Sequence, residues 1–166
     1  MKKYALALLI VASSTAHADF YGGLSANRFD AEIIEDIKVQ GSSWGGEIGY
    51  SHNPYIAAEL RAAPPWIGIS VDANGLDVDI DGYSYSVVVV PSYPITDKVS
   101  IYGIAGILVQ KVEVKYLDTT ASGDDEDGLY GIGVNYNLGT NYVRMEVTRN
   151  VEGNMSGMAL GLGMRF

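Results

Sequence analysis

The chain ends in "GMALGLGMRF". Met158, Leu160, Leu162, Met164 and Phe166 fall on one side of a strict two-residue alternation, and Gly157, Ala159, Gly161, Gly163 and Arg165 on the other. Period two is the repeat of an extended strand. The pattern recurs in short segments along the chain. Residues 43–51 set Trp44, Ile48 and Tyr50 against Gly45, Glu47, Gly49 and Ser51. Residues 142–149 set Val143, Met145 and Val147 against Arg144, Glu146 and Thr148. The large apolar face must meet something apolar, while the other face is too thin in hydrocarbon to fill a dry core.

The alternation predicts strands over 20–28, 43–51, 55–62, 82–93, 99–111, 128–137, 142–149 and 155–166. These lengths approach the roughly 9–11 residues that a tilted strand needs to cross a bilayer. Long connections at 29–42, 63–81 and 112–127 alternate with the tight "HNP", "PITDK" and "NLGTN", and 150–154 is intermediate. The plan is all-β: an eight-stranded antiparallel up-and-down transmembrane β-barrel, with turns and both termini in the periplasm and loops outside. An even strand number lets the first strand pair with the last and leaves no open edge. Segment 99–111 carries aliphatics on both faces, so its direction stays ambiguous. A soluble lipocalin-like barrel would also alternate, but glycines and paired charges would then be its solvated surface, and glycine is poor strand material.

Aromatic residues favour the membrane. Trp44 and Tyr50, Tyr85 and Tyr93, and Tyr130 and Tyr136 sit near the ends of apolar faces, with Phe20 and Phe166 at opposite ends of the chain. Rings at two headgroup levels would bracket a hydrocarbon band.

The beginning of the chain reads as a secretory leader. "MKKYALALLIVASSTAHA" has two lysines, an apolar run and a small-residue stretch ending at Ala18. Residues 1–18 are expected to be a signal peptide and 19–166 the barrel. There is no cysteine, which excludes disulfides and thiol catalysis. Loss of the leader lysines leaves nine basic residues against 20 acidic ones, a net of −11. Such a chain is a poor partner for nucleic acid. No apolar run after the leader is long enough for a membrane-spanning helix.

The remaining charges divide by position. Glu47, Glu59, Arg61, Arg144, Glu146 and Arg165 lie on the small-residue face, hence inside the barrel. The interior of eight strands has just enough room for side chains, and an unpaired buried charge is strongly destabilising. Three acids and three bases are therefore expected to form a neutral, hydrogen-bonded plug. Arg28, Lys111 and Arg149 fall on apolar parity at the loop ends of their strands, where they would meet lipopolysaccharide phosphates. The third connection contains Asp72, Asp77, Asp79 and Asp81, and the fifth Asp124, Asp125, Glu126 and Asp127. Alternate carboxylates make these loops candidates for weak divalent-cation binding, without an EF-hand pattern.

No enzymatic constellation stands out. His52, the one histidine after the leader, falls in a tight turn beside Asn53 and Pro54, without a serine motif. There is no phosphate loop, zinc spacing or nucleotide fingerprint, and no cofactor is expected.

"YSYSVVVVPSYPITDKVSIYGIAGI" resembles the central hairpin of small OmpX/Ail-type outer-membrane proteins. "GLYGIGVNYNL" and "ALGLGMRF" resemble their sixth and eighth strands, and the wider OmpA-like superfamily shares these motifs. The resemblance implies a barrel with a polar, closed interior and a role in adhesion, host interaction or envelope integrity. It also implies that Phe166 is the C-terminal aromatic shown to the barrel-assembly machinery. A narrow channel for small solutes or ions is the alternative function.

Overall fold

The computed structural model describes the backbone of residues 19–34, 37–63, 69–72, 77–116 and 119–166, and the side chains of 19–30, 40–63, 82–111 and 123–166. The expected leader, 1–18, lies outside the described residues. Among the described residues nine strands follow one another: β1 (Asp19–Ile34), β2 (Ile37–Asn53), β3 (Ile56–Ala63), β4 (Ile69–Asp72), β5 (Asp77–Pro94), β6 (Val99–Tyr116), β7 (Thr119–Leu138), β8 (Asn141–Asn150) and β9 (Met155–Arg165). Eight of them close a fully antiparallel ring, β1-β2-β3-β5-β6-β7-β8-β9, with β9 back on β1. β4 pairs with the start of β5, beyond the end of β3.

Tight turns gather at one end of the barrel. Asn53 Oδ1 accepts the N–H groups of Tyr55 and Ile56 at 2.8 and 3.1 Å, and Thr96 Oγ1 accepts that of Val99 at 3.0 Å. Gly139, with φ of 81°, supplies the left-handed residue of the β7–β8 turn. Both ends of the barrel sequence are here too: Phe166 N–H donates to Phe20 O at 3.0 Å.

The two faces separate by parity, as an apolar surrounding requires. Leu24, Ile48, Leu60, Ile132 and Leu162 project outward, exposed. Inside, Val88 and Val90 of β5 meet Tyr102 and Ile104 of β6, with Ala57 and Leu129 packed against them. This apolar wall resolves the ambiguous segment. β6 points Tyr102, Ile104 and Leu108 inward and Ile101 and Ile107 outward, so both faces carry hydrocarbon.

The long connections differ from expectation. Most of 29–42 and 112–127 is strand, and β4 interrupts 63–81. Leaving the bilayer does not end a ladder, because antiparallel neighbours continue to satisfy each other's backbone groups. The stretches "IKV" (37–39) and "VEVKY" (112–116) carry the alternation on past the expected strand ends, with Ile37 and Val39 against Lys38 and with Val112, Val114 and Tyr116 against Glu113 and Lys115. The acidic "GDDEDG" is therefore a strand segment of β7 rather than a loop.

Candidate functional site

A layer of charge crosses the lumen. β2 contributes Glu47, β3 contributes Glu59 and Arg61, and β8 contributes Arg144 and Glu146. Arg144 donates from Nη2 to Glu47 at 2.7 Å and from Nη1 to Glu59 at 2.9 Å. Arg61 binds Glu59 Oε2 at 2.6 Å and Glu146 Oε1 at 2.7 Å. Thus Glu59 bridges both guanidinium groups with its side chain only 1% exposed. Charges at this depth persist only when paired and hydrogen-bonded.

Three phenols complete the layer. Tyr21 of β1 donates to Glu59 at 2.6 Å, Tyr102 of β6 to Glu146 at 3.0 Å, and Tyr142 of β8 to Glu47 at 3.0 Å. Each ring lies over a glycine of the adjacent strand: Tyr21 on Gly49, Tyr102 on Gly133, Tyr142 on Gly163. A Cβ at any of these glycines would run into the ring. The small-residue face thus makes room for the rings that hold the carboxylates.

The layer differs in two ways from the sequence expectation. Arg165 lies on the inner face at the turn-end mouth and joins none of the ion pairs among the described residues. Three carboxylates therefore meet two guanidinium groups instead of three. Arg165 stands at the last position of β9, a full strand-end away from the mid-barrel layer. The phenols were missed, although parity signals them: Tyr142 alternates with Arg144 and Glu146, and Tyr21 with Gly23.

Open space remains on both sides of the layer, mixed in lining on the turn side and largely apolar, with Phe29, Leu108, Leu129 and Met155, on the hairpin side. A turn-side chamber is lined by Ser92, Asn135, Asn137 and Arg165 and ends on Glu59 and Arg144. A hairpin-side chamber is lined by Ser25, Ser43, Ser86 and Thr148 and ends on Glu47, Arg61, Arg144 and Glu146. Arg144 borders both.

At the hairpin end, Arg28, Lys111 and Arg149 share outward parity with the lipid-facing rows of β1, β6 and β8. Arg28 donates to Gln40 at 3.2 Å and overhangs a notch between Trp44 and Met158. Arg149 donates to Gly153 O at 2.9 Å. Lys111 sits 3.6 Å from Asp124 and 6.0 Å from the centre of the Tyr83 ring.

The acidic run does not converge on one point. Neighbours on a strand face opposite sides. Asp124 pairs with Lys111, and Asp127 accepts the N–H groups of Gly128 at 2.6 Å and Glu152 at 3.2 Å. Asp125 and Glu126 are exposed. Among the described residues no cluster of three or more candidate ligands is suited to a metal. The side chains of Asp72, Asp77, Asp79 and Asp81 lie outside the described ones.

The chain is similar in fold to neisserial surface protein A, with a TM-score of 0.67 and 16% identity over 90% of this chain and 98% of that one. It is also similar to Ail, the attachment invasion locus protein of Yersinia pestis, with a TM-score of 0.62 and 19% identity over 90% and 97%. A third likeness is to OprG of Pseudomonas aeruginosa, with a TM-score of 0.62 and 15% identity over 92% and 97%. Among curated proteins, none matches the sequence. The model for the outer membrane protein beta-barrel domain matches residues 4–166. With its closed ring of eight antiparallel strands, the chain belongs to this family of outer-membrane β-barrels.

Proposed function

We propose that the protein is a non-enzymatic surface barrel acting in adhesion, host interaction or envelope integrity through its hairpin end. The observation that carries this reading is the charge layer, which ties β2, β3 and β8 across the lumen while β1–β2 and β5–β7 extend past the rim as paired strands. A closed middle suits a scaffold that presents its outer end. In this reading residues 1–18 are removed on export, the turns and both termini face the periplasm, and Phe166 addresses the assembly machinery. Arg28, Lys111 and Arg149 contact lipopolysaccharide phosphates at the outer rim, because guanidinium and ammonium groups pair well with phosphate. Any calcium or magnesium over the acidic strands is held weakly, as a diffuse counterion.

Ail of Yersinia pestis has been solved with a heparin analogue, sucrose octasulfate. Exposed Asp124, Asp125 and Glu126 argue against a sulfated sugar at β7 here, since like charges repel. The test is to trim the hairpins to the rim and measure adhesion of cells displaying the barrel. Adhesion should fall while the barrel stays folded, and unchanged adhesion would sink the reading.

A narrow channel is the second reading, favoured by the two chambers that only one layer of side chains separates. It requires the layer to open, and single-channel recording distinguishes the two readings.

A further inference from the structure

The methionines after the expected leader, Met145, Met155, Met158 and Met164, all lie on β8 and β9. Met145, Met158 and Met164 belong to the outward rows and are exposed there. A bilayer covers that surface with hydrocarbon. Met155 differs. It opens β9 at the hairpin end and lines the hairpin-side chamber together with Phe29, Leu108 and Leu129. Its side chain is half-buried, so part of it stays open to water at the mouth of the lumen.

Met155 is held from two sides. The buried Asn150 accepts the Met155 N–H on Oδ1 at 2.9 Å. Gln110 of β6 donates from Nε2 to Met155 Sδ at 2.9 Å. β7 and β8 lie between β6 and β9 in the ring, so this contact crosses the mouth instead of joining neighbours. A thioether is a weak acceptor. The half-buried Gln110 amide therefore has a partner that satisfies it poorly.

Oxidation changes that match. Hydrogen peroxide transfers one oxygen atom to a thioether. The S=O bond forms and the O–O bond breaks; sulfur gives up two electrons and the peroxide is reduced to water. The product carries an oxygen acceptor where the weak sulfur stood, beside the Gln110 donor. We propose that Met155 is an oxidation site for peroxides reaching the hairpin end, and that Gln110 captures its sulfoxide oxygen and straps β6 to β9 across the mouth. The site goes beyond the surface reading and needs only the closed ring and the sulfur contact.

The test treats the intact barrel in zwitterionic nanodiscs with dilute hydrogen peroxide and follows each methionine by peptide mass spectrometry. Sulfoxide should form at Met155 ahead of Met145, Met158 and Met164. The heat-dependent gel shift of the oxidised barrel should then move up by about 2–4 °C, the change that one strengthened hydrogen bond makes in a chain of this size. Gln110→Leu removes the donor and leaves the sulfur, so Met155 should still oxidise and the rise should vanish. Met155→Leu keeps the volume, and peroxide should leave its shift temperature unchanged, which rules out the lipid-facing sulfurs as the cause. Each variant is compared with its own untreated barrel, whose gel shift also shows that it is folded. Faster oxidation of a lipid-facing methionine than of Met155 would overturn the proposal. So would an oxidised barrel whose shift temperature stays level or falls, or a rise that survives Gln110→Leu.

Discussion

Tyr142 lies across Gly163 of the neighbouring strand and donates its hydroxyl to Glu47, beyond β9 and β1, at 3.0 Å. Gly163→Ala places a methyl group against that ring. We expect it to cost about 1–3 kcal/mol, the range for overpacking, and Tyr142→Phe about 1 kcal/mol for the lost hydrogen bond. The two should couple, with the double variant losing less than the sum. Urea unfolding of the refolded barrel in vesicles measures all three.

The charge layer predicts an asymmetry between its members. Arg144→Met deprives Glu47 and Glu59 of a shared partner and should cost about 3–5 kcal/mol, as breaking a buried pair does. Glu47→Gln should cost much less. Glu47 has two donors in the structure, Arg144 and Tyr142, whereas Glu59 has three donor residues, Tyr21, Arg61 and Arg144. Neutralising it also leaves two carboxylates for two guanidinium groups. The temperature of the heat-dependent gel shift ranks the variants, and equal losses would contradict the charge count.

Much of this was legible in the sequence because a bilayer outside and a tight lumen inside impose opposite demands on alternate residues. Trp44, Ile48 and Tyr50 face out and Glu47 faces in for that reason. β6 was ambiguous because its inward row meets Val88 and Val90 rather than charge, and the composition of the opposite wall cannot be read from one strand. The strand extensions beyond the rim keep their alternation, Val112, Val114 and Tyr116 against Glu113 and Lys115, but they exceed the length that crossing a bilayer requires. Arg165 shares the inner face with Arg144, yet alternation gives the face and not the depth. Parity alone places the phenols of Tyr21 and Tyr142 on the inward rows of β1 and β8, whereas Tyr102 shares the ambiguity of β6.

At the rim, replacing Arg28 and Arg149 with alanine should weaken binding of purified lipopolysaccharide, more so at low salt. Lys111→Ala should change it least, because Asp124 already occupies that ammonium. Binding by surface plasmon resonance separates the three residues, and a dominant effect at Lys111 would count against the rim as drawn.

Asp127 is expected to brace the β8–β9 loop. Asp127→Ala removes the acceptor of two backbone N–H groups, Gly128 and Glu152. Local opening should become easier by about 1–2 kcal/mol, seen as faster amide exchange at those residues. Calcium binding measured by calorimetry should not change.

The central claim is a barrel whose interior is closed by Glu47, Glu59, Arg61, Arg144 and Glu146 and whose work lies at its outer end. Planar-bilayer recording of the purified wild-type protein tests it most directly. The account predicts a quiet membrane without stable single-channel steps. Sustained, sizeable steps from the folded barrel would contradict it.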